Sequence, residues 1–113
     1  IEGINMQEGL RIVGNNMDNY RLILQTFVSE NREKLINLMK VNNENVRVYI
    51  ATVHALKGST ATIGADGLSS LAKELEAAAK SGDMEYVSQH TEEFVSKVEV
   101  LFQNIENYLS KTT

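Results

Sequence analysis

Apolar positions along this 113-residue chain recur at spacings of three and four, and alternation of apolar and polar residues never lasts, so the pattern is helical from end to end. Residues 4–13, INMQEGLRIV, place Ile4, Leu10 and Val13 apolar and predict a short helix stopped by Gly14 and the turn-prone pair Asn15 and Asn16. Asp18 is a candidate cap for a second helix running to about Lys40, with Tyr20, Ile23, Leu24, Phe27, Leu35, Leu38 and Met39 on its inner face. Asn31 falls on that buried side with no reason visible in the pattern. The string VNNENV at 41–46 breaks the rhythm, because asparagine competes with helical backbone bonding, and a third helix begins near Asn45.

The third helix carries Val46, Tyr49, Val53, Leu56, Thr60 and Ile63 in one broad sector, at about 100° per residue, and should end at Gly64. Asp66 is placed to cap a fourth, with Leu68, Leu71, Ala72, Leu75 and Ala79 inward, up to SGD at 81–83, where Gly82 is the stop. From Asp83 a fifth runs nearly to the end on Val87, Phe94, Val98, Leu101, Ile105 and Tyr108. Connections of a few residues make sequential helices antiparallel neighbours, which predicts an all-α fold: an antiparallel up-and-down four-helix bundle with a short N-terminal lead-in helix. A hairpin of the second and third helices on a three-helix core is the competing arrangement, and it would leave one amphipathic stripe uncovered.

Composition supports a single domain over 1–113: 42% hydrophobic and 23% charged residues suffice for one core, and the absence of proline suits long unbroken helices. The net charge of −4 offers no broad attraction to nucleic acid or an anionic membrane face. With no cysteine there are no disulfides or thiolate metal sites, and a cytoplasmic setting is the default expectation. No run approaches the roughly 18 apolar residues of a membrane span, so a soluble domain without direct membrane contact is expected. The first residue is Ile1, and the chain is expected to be excised from a longer one.

Chemistry concentrates on the third helix, in HALKGSTATIGADG at 54–67. Around the helix axis Arg47, Ile50, Ala51, Lys57, Gly58, Ala61 and Ala65 fall within about 60° of His54, opposite the inner stripe, so His54 points outward. Its neighbours are short or apolar, where a solvated face would carry glutamate, lysine and glutamine, and the face is therefore built to be covered. Gly58 costs about 1 kcal/mol against alanine, which clearance near the imidazole would explain, since a side chain there would crowd the ring. A solvent-facing imidazole is largely neutral at neutral pH and needs no separate base to act as a nucleophile. With a phosphoryl group as electrophile, Lys57, three residues on, would stabilise the charge spread over the oxygens.

These residues resemble the histidine-containing phosphotransfer (HPt) domain of multistep phosphorelays, whose pattern is a histidine, any residue, leucine, lysine, glycine, then small residues to a second glycine ten positions past the histidine. His54, Leu56, Lys57, Gly58 and Gly64 meet every position, and ADGLSSLAKELEAAAKSGD and the lead-in GINMQEGLRIVGNNMDNYRLILQTF extend the resemblance over nearly the whole chain. It implies that His54 accepts a phosphoryl group from a receiver-domain aspartate and passes it to another receiver, with Lys57 contacting the group. The family often places a polar residue on the following helix beside the histidine; the matching position is Glu76, a candidate to orient the ring, with Lys80 one turn on adding positive potential. The resemblance further implies a sensor histidine kinase as parent chain, receiver domains of a hybrid kinase and a response regulator as partners, and magnesium supplied by the partner receiver, while a last-helix seam used up inside the bundle favours a monomer.

No phosphate-cradling glycine loop, nucleotide motif or cluster of metal carboxylates is present, so the isolated domain is expected to be a carrier rather than an enzyme, with no cofactor or metal of its own. His90, in the polar run SQHTEE, is expected to be a partly exposed bystander, and KELEAAAK a solvated edge with pairs such as Lys73 and Glu76. Gly64 is read equally as a helix stop and as a functional position. A helical adaptor using the small face only for docking is the second functional reading; a histidine-dependent phosphatase is the third and lacks a second catalytic partner.

Overall fold

The computed structural model describes residues 1–40 and 44–112. Among them are five helices and no strand: α1 (Met6–Ile12), α2 (Met17–Leu38), α3 (Val46–Thr62), α4 (Asp66–Ser81) and α5 (Met84–Thr112). Part of the break expected at 41–46, residues 41–43, lies outside the described residues.

Side-chain oxygens start three of the helices by accepting backbone N–H groups that have no intrahelical partner. Asn5 Oδ1 accepts from Glu8 N at 3.1 Å, Asn16 Oδ1 from Asn19 N at 3.0 Å and Asp83 Oδ1 from Tyr86 N at 3.1 Å. The cap of α2 is therefore Asn16 and not Asp18, which sits in the first turn, where its charge suits the positive end of the helix dipole. Asp66 likewise begins α4 without capping it: Ala65 precedes it, and no side chain closes that end. The turn from α3 is held by backbone instead, with Gly64 N donating to Ala61 O at 3.1 Å and Ala65 N to Thr60 O at 2.8 Å. Gly82, at φ 81°, ends α4 as its position predicts. Met39 departs from expectation and is exposed: it caps α2 still in helical conformation, at φ −67°, and so stands about 100° around the axis from the buried Leu38, at the rim of the inner stripe.

Packing follows chain order: α3 lies against α2 and α4, α5 against α4 and α2, and α1 against α2 and α3. Tyr20, Leu24, Phe27, Leu35, Val53, Leu56, Leu75, Phe94, Val98 and Ile105 form the buried centre, while Ile23, Val46, Leu68, Leu71 and Tyr108 are half-buried against it. Each large apolar side chain so removed from water stabilises the fold by about 1.5–3 kcal/mol. The 29 residues of α5, rising about 1.5 Å each, account for the 43 Å long dimension of the molecule.

Polar groups inside this core are tied to particular partners. Thr91 Oγ1 donates to Val87 O at 2.6 Å, so its contact at 2.7 Å with the Tyr49 hydroxyl is one in which Tyr49 donates, joining α3 to α5. Asn31, unexplained by pattern, is buried with its Nδ2 donating to Phe27 O at 2.7 Å and its Oδ1 without a hydrogen-bond partner. The lead-in is seated on two glycines. A Cβ on Gly9 would come within 2.6 Å of the Tyr20 ring, and one on Gly64, whose φ is +88°, within 2.3 Å of Asn5 O. Tyr20 completes the joint by donating its hydroxyl to Ile63 O at 3.2 Å, and burial pushes that hydroxyl's pKa up to about 12. No helix among the described residues is long and apolar enough to cross a membrane.

Candidate functional site

Because Val53 and Leu56 are drawn fully into the core, the residue between them on the opposite side of α3 faces out, and the His54 side chain is 65% exposed. Its Nδ1 lies 2.7 Å from Glu76 Oε2 on α4. Lys57 Nζ donates to Glu76 Oε1 at 2.7 Å, and Lys80 Nζ stands 3.2 Å from Oε2. Three positive or proton-bearing groups thus converge on one carboxylate whose side chain is only 6% exposed.

That carboxylate is ionised at any ordinary pH. The hydrogen bond from Lys57 does most to lower its pKa, burial opposes it, and the bonds from His54 and Lys80 carry the balance down to about 2. An ionised carboxylate only accepts hydrogen bonds, so the imidazole nitrogen facing it must carry the proton. In the neutral ring that arrangement is the Nδ1–H tautomer, with the lone pair on Nε2.

Ile50 and Ala61 are half-buried and Ala51 and Gly58 exposed on the same stretch of α3. Ala65 does not join them and is fully buried, because α3 ends at Thr62 and the left-handed Gly64 turns the chain inward. The expected crowding of the imidazole is corrected too: a Cβ on Gly58 would meet nothing within 4 Å, so what its bare backbone leaves open is space outside the chain. Gly64 is a structural position, filled against Asn5. His90 sits apart on α5, its ring 4.2 Å from that of Tyr86 and its Nδ1 3.4 Å from Glu93.

KELEAAAK is not uniformly a solvated edge. Glu76 turns inward and pairs with Lys57 and Lys80 rather than with Lys73. A signal was present: Ala72, Leu75, Glu76 and Ala79 stand at the spacing of an inner stripe, so a carboxylate there must find cations to be buried at all. The hydroxyl of Ser69, unmarked by any motif, donates to Lys57 O at 3.0 Å and fastens the start of α4 to the turn bearing Lys57.

The groove between α4 and α5, floored by Leu68, Leu71 and Leu101, and that between α2 and α5, around Leu35, Ile36 and Phe102, do not include His54. The His54 ring stands on a helix face, an arrangement suited to a macromolecular partner more than to an enclosed small substrate. Among the described residues no group of three histidine, aspartate or glutamate side chains is placed to hold a metal ion.

The family model for the Hpt domain matches residues 22–110. Two proteins each called phosphorelay protein LuxU, from Vibrio vulnificus strains YJ016 and CMCP6, are 35% identical to the chain over 94 residues, covering 82% of it and 79% of their own length. No solved structure matches significantly. The chain belongs to the Hpt domain family, and its function is histidine phosphotransfer in a phosphorelay, as a carrier rather than an enzyme.

Proposed function

We propose that His54 is the phosphoryl acceptor and donor of this domain. The observation that carries the reading is the exposed ring whose Nδ1 is tied to Glu76 at 2.7 Å, which leaves Nε2 as the nucleophile. In uptake, Nε2 attacks the phosphorus of a receiver's aspartyl phosphate; the N–P bond forms as the aspartate O–P bond breaks, and the aspartate leaves as a carboxylate. Glu76 orients the ring and balances the charge it gains, and Lys57, with Lys80 behind it, supplies cations for the phosphoryl oxygens. Magnesium comes with the receiver, and the domain itself needs no cofactor.

The docking surface in this reading is the small-residue face of α3 around Ile50, Ala51, Gly58 and Ala61, where open space before Gly58 admits the receiver's acidic site. The fold that presents it is an antiparallel up-and-down four-helix bundle of α2 to α5. Its support is the brevity of the links, Ile63 to Ala65 and then Gly82 and Asp83, together with contacts between successive helices. The domain acts as a monomer.

Incubation with a receiver carrying labelled aspartyl phosphate tests this. Label is expected to move to the domain in a form stable to alkali and labile to acid. His54→Gln should abolish uptake while shifting stability by less than about 0.5 kcal/mol, since an outward side chain contributes little to the core. Label remaining on several receivers would leave the small face as a docking surface without covalent chemistry.

A further inference from the structure

Resting on the carrier reading above, a second task for Glu76 follows once His54 is phosphorylated. We propose that the Glu76 carboxylate retains the proton on Nδ1 of the phosphorylated ring, so that the phosphoryl group always leaves from a phosphoimidazolium and the departing imidazole is neutral. Glu76 is thereby a positioning residue that keeps the stored phosphoryl group in its transferable form.

The chemistry turns on the leaving group. If Nδ1 is bare, breaking the Nε2–P bond expels an imidazolate anion, a strongly basic and poor leaving group. If Nδ1 carries a proton, the acceptor aspartate oxygen attacks phosphorus, the bonding pair returns to Nε2 and neutral imidazole departs. The proton stays on Nδ1 throughout, and the ring returns to its resting tautomer without exchanging a proton with solvent.

The geometry enforces the second course. Oε2 lies 2.7 Å from Nδ1 and belongs to a carboxylate only 6% exposed, so loss of that proton would set a lone pair directly against an ionised oxygen. Lys57 is engaged by the other oxygen, Oε1, and Lys80 stands farther from Oε2, at 3.2 Å, so neither displaces the ring. The charged groups around His54 are Lys57 and, two turns before it, the exposed Arg47 on α3, and Glu76 and Lys80 on α4. From α2, on the other flank of α3, the ion pair among the described residues is that of Arg32 with Glu106 on α5. A dianionic phosphoryl group on Nε2 adds negative charge and favours the Nδ1 proton further.

Two measurements decide the matter. The ¹⁵N-labelled domain, phosphorylated at His54 with phosphoramidate, is titrated by imidazole ¹⁵N shifts beside an unstructured phosphohistidine peptide. The domain should hold its Nδ1 proton to higher pH than the peptide does. Transfer from the phosphorylated domain to one receiver is then timed across pH for the native chain and Glu76→Gln. Their rate ratio should grow about tenfold per pH unit above the variant's own titration, whatever the receiver's pH dependence. Titration of the domain alongside the peptide, or parallel rate profiles in a folded variant, overturns the proposal while leaving the carrier reading intact. Failure of His54 to take up phosphoryl from either donor overturns both. Should Glu76→Gln not fold, the titration of the native chain decides alone.

Discussion

At the scale of single residues, charge and proton placement matter more than bulk. Glu76 is a buried carboxylate that would be costly alone, and its three donors convert that cost into a fixed tautomer of the histidine outside. Tyr20 plays the corresponding part in the core, its ring filling the centre while its hydroxyl reaches Ile63 O. Tyr20→Phe keeps the ring and strands the carbonyl, and is expected to lower stability by about 1 kcal/mol, read as a shifted urea midpoint at constant slope. Asn31 gives less, since its Nδ2 finds Phe27 O while its Oδ1 has no partner.

At the scale of elements, the α3–α4 corner does the positioning. Gly64 takes a left-handed conformation no side chain enters cheaply, and its missing Cβ leaves the room that Asn5 O occupies. Gly64→Ala should therefore cost about 2 kcal/mol or more, and lower the melting temperature accordingly, although the position is only a loop. The outward face of α3 behaves differently. Ala61→Glu places an unpaired charge in the proposed contact, and should weaken receiver binding about tenfold or more in a titration while leaving the melting temperature nearly unchanged. Unchanged affinity would place the receiver elsewhere.

Across the whole molecule, the acid response follows from which carboxylates are paired. Glu76 titrates at about 2 in the folded chain against an ordinary 4.5, so its contribution is fully present above pH 4.5 and is lost as pH falls through that interval. Acid unfolding followed by circular dichroism should be less steep between those limits in Glu76→Gln than in the native chain, even though the variant begins less stable at neutral pH. The exposed pairs of Glu8 with Arg11 and Glu93 with Lys97 should alter that curve little, because solvent screens them.

The helices, their order and nearly all of their inner faces were legible in the chain, because burial of one stripe imposes the spacing of three and four wherever a helix packs. His54, Lys57 and Gly58 were legible for a related reason: on a continuous helix, angular position follows from residue number alone. That rule failed at Ala65, past the end of α3, since beyond the last turn orientation depends on the path of the backbone. It was also silent about contacts between helices. The family resemblance, and no periodicity, set Glu76 beside His54, and nothing along the chain gave Glu76 Lys57 in place of Lys73. Local periodicity determined which residues stand at the site; the distance and packing between α3 and α4 decided how its proton and charges are shared.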